Sequence, residues 1–117
     1  MGDKIELKHF TDSEVEGLDP IFSYRLDTAR EKAGVPFIIT SGFRTPDEND
    51  AIASSVKDSA HLTGKAVDLR VIDGLHRFYI VKGLIEAGFN RIGIYTRHIH
   101  VDVDESKPQD VVWVGVS

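Results

Sequence analysis

From His98 to Asp104 the chain alternates without a break, with Ile99, Val101 and Val103 at every second position and His98, His100, Asp102 and Asp104 between them. Successive side chains of an extended backbone point to opposite sides, so this pattern is a strand that lays its aliphatic face on a core. Its other face is made wholly of metal-binding residue types. A second segment repeats the arrangement: Val67, Leu69 and Val71 share one face, and Ala66, Asp68 and Arg70 share the other. Both strands turn their polar faces the same way relative to an aliphatic core.

The remaining elements follow from local signals. Residues 1 to 12 alternate weakly at Ile5, Leu7 and Phe10, as an extended lead-in. Asp19-Pro20 starts a helix, with Asp as N-cap and Pro at the first helical position. Ile21, Phe22, Leu26 and Ala29 lie near one face of it, and Gly34 with Val35-Pro36 ends it. Phe37 to Thr40 reads as a strand buried on both faces, emptying into a turn over Ser41 to Arg44. Thr45-Pro46-Asp47-Glu48 is a capping-box sequence that opens a short helix reaching about Ser54, followed by a polar loop to Gly64. Asp73-Gly74 opens another helix, with Leu75, Phe78, Tyr79, Leu84 and Ile85 as its core stripe and Gly88 as its cap. Arg91 to Tyr95 and His98 to Val103 form a hairpin through Thr96-Arg97. Lys107-Pro108 breaks the chain, and Val111 to Val114 closes the sheet or packs across it. The expected fold is α+β, a mainly antiparallel sheet with helices packed on one face and a cleft on the other.

Composition limits the chemistry. A chain of 117 residues with 41% hydrophobic and 28% charged residues suits one globular domain, spanning 1–117. A net charge of -5 and no Lys/Arg run argue against a nucleic-acid or anionic-membrane partner, though not against a local basic pocket around Arg44, Lys65 or Arg70. The chain has no cysteine, so disulfides, thiolate zinc sites and Cys nucleophiles are all excluded. Any metal must be held by His and carboxylate. No signal-like apolar run opens the chain, and no stretch approaches the roughly 20 apolar residues of a membrane span. Synthesis in the cytoplasm without a signal peptide, and a monomeric state, are expected.

Those restrictions draw attention to Ser59-Ala60-His61-Leu62-Thr63-Gly64-Lys65-Ala66-Val67-Asp68, where a histidine and a carboxylate flank a glycine turn. A catalytic zinc ion takes three protein ligands and an open position. His61, Asp68 and one histidine of His98-x-His100 meet that count. Plainer readings exist for each: a surface loop histidine, a strand carboxylate paired with Arg70 or Lys65, and a solvated polar strand face.

The pattern Ser59-x-His61-x-x-Gly64-x-Ala66-x-Asp68, followed by His100 in a His-x-Asp strand, resembles the zinc D-alanyl-D-alanine metallopeptidases. These include bacterial D,D-carboxypeptidases and dipeptidases and phage murein endopeptidases, on a hedgehog-like fold. Ser41-Gly42-Phe43-Arg44-Thr45 is similar to that family's Ser-Gly-aromatic-Arg segment, and Phe89 to Val103 with Pro108 to Trp113 resembles its compact bacterial and phage branch. The likeness covers about residues 35–114. It implies one zinc ion held by His61, Asp68 and His100, with Arg44 binding substrate or stabilising an oxyanion and Ser59 positioning substrate or bracing the loop. The implied substrate is the peptide part of peptidoglycan, D-Ala-D-Ala above all, reached after release or delivery to the cell wall. One departure stands out. Several members carry Glu three residues before the last zinc histidine, where this chain has Arg97. His98 is the substitute, to orient or deprotonate the zinc water or to stabilise the tetrahedral intermediate, and Asp102 on the same face could instead orient His100. The same departure motivates an alternative, a zinc-stabilised binding module without turnover, as the hedgehog domain exemplifies; a phage structural component is a third.

Overall fold

The computed structural model describes residues 6–51 and 59–116. Their elements are α1 (Pro20–Ala33), β1 (Ile39–Ser41), α2 (Pro46–Asp50), a 3-10 turn (Ala60–Thr63), β2 (Ala66–Arg70), α3 (Gly74–Glu86), β3 (Arg91–Ile94), β4 (His98–Asp102) and β5 (Val111–Val114). The strands form one sheet in the order β1-β2-β4-β3-β5. Three neighbouring pairs are antiparallel, whereas β5 runs parallel to β3, so the sheet is mixed.

The two alternating segments pair directly, with Val67 opposite Val101, Asp68 opposite His100 and Leu69 opposite Ile99. Val67, Leu69, Ile92, Ile99 and Val101 pack with Phe22, Leu26 and Ala29 of α1 and Ile80 and Leu84 of α3 in one buried cluster. The helices therefore cover one face of the sheet, and Asp68, His98 and His100 occupy the other. Helix α1 begins as its sequence dictates: the Asp19 carboxylate accepts from the Phe22 N–H at 3.0 Å, and Gly34 ends the helix in the left-handed region. Where α3 crosses α1, a Cβ on Gly83 would lie 2.5 Å from the Ala29 carbonyl oxygen, so only glycine permits that approach.

Several expectations are corrected. The apolar run at 37–40 is not a strand buried on both faces. Phe37 is buried ahead of the strand, and β1 is a three-residue edge strand over 39–41 with Ile38 exposed. The run is apolar because Phe37 anchors the chain in the core. On α1, Ile21 is exposed, and the inner face instead carries Asp27, whose carboxylate accepts from the backbone N–H groups of Lys8 and His9 and tethers the lead-in. On α3 the anticipated stripe is mostly outside: Leu75 is 69% and Phe78 60% exposed, Tyr79 and Ile85 are exposed too, and only Leu84 of the five is buried. The true inner face is His76, Ile80, Gly83 and Leu84. His76 tolerates burial because its Nδ1 accepts from the Ile72 N–H and its Nε2 donates to the Pro36 carbonyl. The capping box at Thr45 forms as expected, but α2 stops at Asp50; its anticipated continuation to Ser54, like Ile5 of the lead-in, falls outside the described residues. Ala87 caps α3, and Gly88 follows it in the left-handed region.

Candidate metal centre

The stretch from Ser59 to Asp68 folds as a single 3-10 turn feeding β2. Ser59 caps the turn, its hydroxyl accepting from the His61 N–H at 3.2 Å. Gly64 ends it at φ 71°, and a Cβ there would sit 2.4 Å from the Gly17 carbonyl oxygen, so both conformation and space demand glycine. The Gly64 carbonyl accepts from the Asp19 N–H, which fastens the turn to the start of α1. The Arg44 N–H donates to the His61 carbonyl, which brings the β1–α2 connection to the same place.

Three side chains converge there. His61 donates from Nδ1 to the Gly42 carbonyl at 2.7 Å, which leaves the Nε2 lone pair facing Asp68 Oδ1 at 3.6 Å. His100 Nδ1 lies 3.0 Å from the same oxygen, and its Nε2 donates to Asp102 Oδ2 at 2.7 Å. One ligand atom from each of His61, Asp68 and His100 falls within 4.8 Å of the others. Ligands held tetrahedrally at zinc distances stand about 3.3 Å apart, so the 3.0 and 3.6 Å separations suit such an ion, and the nitrogen and carboxylate donors suit its chemistry.

The electrostatics favour a cation. Burial opposes charge on Asp68, yet the neighbouring imidazoles of His100 and His61 outweigh it and hold the carboxyl well below its ordinary pKa. Burial likewise opposes charge on His100, but Asp102 and Asp68 prevail and raise its pKa. Asp102 is brought down to about 2 against its own burial, by His100, Arg91 and the Asp104 N–H. Both carboxylates are thus held ionised, Asp68 facing the centre and Asp102 behind His100.

The other anticipated residues surround this group. Arg44 Nη2 is 3.6 Å from Asp68 Oδ2, its Nε donates to Ser41 Oγ and its Nη1 donates to Asn49 Oδ1. His98 Nε2 is 4.0 Å from Asp68 Oδ1, and its ring stacks on Tyr95. Asp102 holds His100 from behind and itself accepts from Arg91 Nε at 2.6 Å. Ser59 spends its hydroxyl on the turn, the bracing part of its expected role.

Ser41, Asn49, Arg91, Tyr95 and Trp113 were not anticipated here. Strand parity could have found two of them. Gly93 lies opposite His100, so Arg91 two residues earlier shares its face, and Trp113 is the partner of Gly93 on β5. Nothing local signals that Asn49, in a five-residue helix, is buried against Arg44.

A His/Asp/His set with a guanidinium alongside is the ligand arrangement of a metal-dependent hydrolase. A family model for Peptidase M15 matches residues 6–104, and the chain belongs to the Peptidase M15 family. The resemblance carried by Ser59 to Asp68 is thereby borne out. No curated protein matches the sequence. Among the described residues, no helix is long and apolar enough to cross a membrane.

Proposed function

We propose that the protein is a zinc peptidase acting on the peptides of peptidoglycan, with the terminal D-Ala-D-Ala bond as its substrate. The observation that carries this reading is the convergence of His61 Nε2, Asp68 Oδ1 and His100 Nδ1, with Arg44 and His98 both within 4.0 Å of the Asp68 carboxylate. A zinc ion would be held by these three residues, and when bound it would supply Lewis acidity to the scissile carbonyl and lower the pKa of water toward neutrality. Arg44, fixed by Ser41 and Asn49, offers its guanidinium to the terminal carboxylate of the substrate or to the developing oxyanion. His98 takes the proton of the attacking water on its ring and passes it to the leaving D-alanine amine. Asp102 keeps the Nε2 proton of His100 in place and so turns Nδ1 toward the metal. On this reading the protein meets its substrate after release or delivery to the cell wall.

Mass spectrometry of defined muropeptides incubated with zinc-loaded protein tests the proposal. Release of free D-alanine is expected. A cleaved cross-link without D-alanine assigns an endopeptidase instead, and intact muropeptides in the presence of bound zinc defeat the enzymatic reading. Arg97, exposed in the hairpin at the position where several members carry Glu, favours a second reading, a zinc-stabilised binding module. His98→Ala separates the two. An enzyme keeps its zinc and loses about 10²–10⁴-fold in turnover, whereas a binding module has no turnover to lose.

A further inference from the structure

We propose that Tyr95 is a positioning residue for the His98 imidazole, held in place by Trp113 of β5; this rests on the reading of His98 as the group that moves the proton. The other two histidines of the centre are each oriented by a ring hydrogen bond, His61 to Gly42 and His100 to Asp102. Among the described residues no hydrogen bond holds the His98 ring, whose Nε2 lies 4.0 Å from Asp68 Oδ1. What fixes its plane is Tyr95. The two rings lie 4.5 Å apart at 7°, and the Tyr95 N–H donates to the His98 carbonyl at 3.0 Å, so stack and hairpin act on the same pair.

A stack alone leaves the tyrosine free to swing about its side-chain torsions. Trp113 removes that freedom by donating Nε1–H, the one polar group of indole, to the Tyr95 hydroxyl at 2.8 Å. Two glycines make room for the pair. A Cβ on Gly93 would come within 2.6 Å of the Trp113 ring, and one on Gly115 would press directly into the Tyr95 ring. The same indole lies 5.6 Å from the His100 ring and 5.2 Å from the Arg91 guanidinium that grips Asp102. The matched family region ends at residue 104, so the strand bearing Trp113 lies beyond it, yet it reaches the His100 ring directly and His98 through Tyr95.

Tyr95→Leu removes the stack, and Tyr95→Phe keeps the ring but leaves the indole N–H without its acceptor. With zinc content and melting behaviour confirmed, Tyr95→Leu is expected to lower kcat about 10²-fold with KM unchanged, the cost of a displaced catalytic group. Tyr95→Phe should retain more activity than the leucine variant. In a His98→Ala background Tyr95→Leu should have no further effect, because it acts through a ring no longer there. Wild-type kcat in Tyr95→Leu, or full additivity with His98→Ala, overturns the proposal and leaves the peptidase reading intact. If the wild-type protein hydrolyses no muropeptide, the peptidase reading falls alone, and NMR of the His98 ring decides the positioning: its carbon-bound protons must move downfield in Tyr95→Leu as the ring current is lost. Unmoved resonances overturn it. Should Tyr95→Leu fail to fold, Trp113→Phe provides the same readouts, with a smaller effect in the same direction expected and no effect refuting the lock.

Discussion

Asp68 is the residue on which the centre turns, with His61, His98, His100 and Arg44 all within 4.0 Å of its carboxylate. His61→Ala or His100→Ala should reduce zinc from about one ion per chain to a small fraction, as measured by elemental analysis, because two remaining donors make a poor site. Asp102 touches no metal position yet fixes which nitrogen of His100 faces Asp68. Replacing it with Asn should weaken zinc binding by roughly 10–100-fold in chelator competition while leaving the three ligands in place. The Arg91–Asp102 pair is a different case. Both side chains are buried, and Arg91→Met would strand a carboxylate without its cation, at a cost of about 3–5 kcal/mol in urea unfolding of the zinc-free protein.

Among the elements, the 3-10 turn is the most constrained. Gly64→Ala combines a positive φ with a collision against the Gly17 carbonyl, and strain of this kind costs on the order of 1–3 kcal/mol, which a lowered Tm would register. Helix α3 offers the opposite contrast. Ile80→Ala should destabilise by about 2–5 kcal/mol, whereas Leu75→Ser, on the open face, should stay within about 0.5 kcal/mol of wild type. That contrast explains why α3 was misread from its sequence. Its core face includes a histidine and a glycine, the first made acceptable by two hydrogen bonds and the second required by α1, and neither requirement is visible in a pattern of apolar residues. The strands were legible because a period of two is hard to satisfy otherwise, and the caps at Asp19 and Thr45 because each is a local hydrogen bond encoded within four residues.

Across the whole molecule, the three candidate ligands could be picked out because two lie on one short unit and the third on an alternating strand. Arg91 follows from strand parity across the hairpin, and Trp113 does too once β5 is known to lie parallel beside β3, but that pairing, which brings Trp113 to Tyr95, is specified by no local pattern. Zinc should stabilise the whole fold by mass action, about 2.7 kcal/mol at a free concentration 100 times Kd, and calorimetry should show the melting temperature falling when the ion is stripped. The pairing of Asp68 with His100 carries one more implication. The side chains of a strand swap sides at every residue, so pairing β4 one residue out of step with β2 would keep the sequence and its alternation while sending His100 toward the apolar core. Metal capture is therefore a test of alignment: a chain that holds the ion has counted its way correctly from Asp68 to His100, and a misaligned one is left with orphaned ligands and can be told apart by that alone.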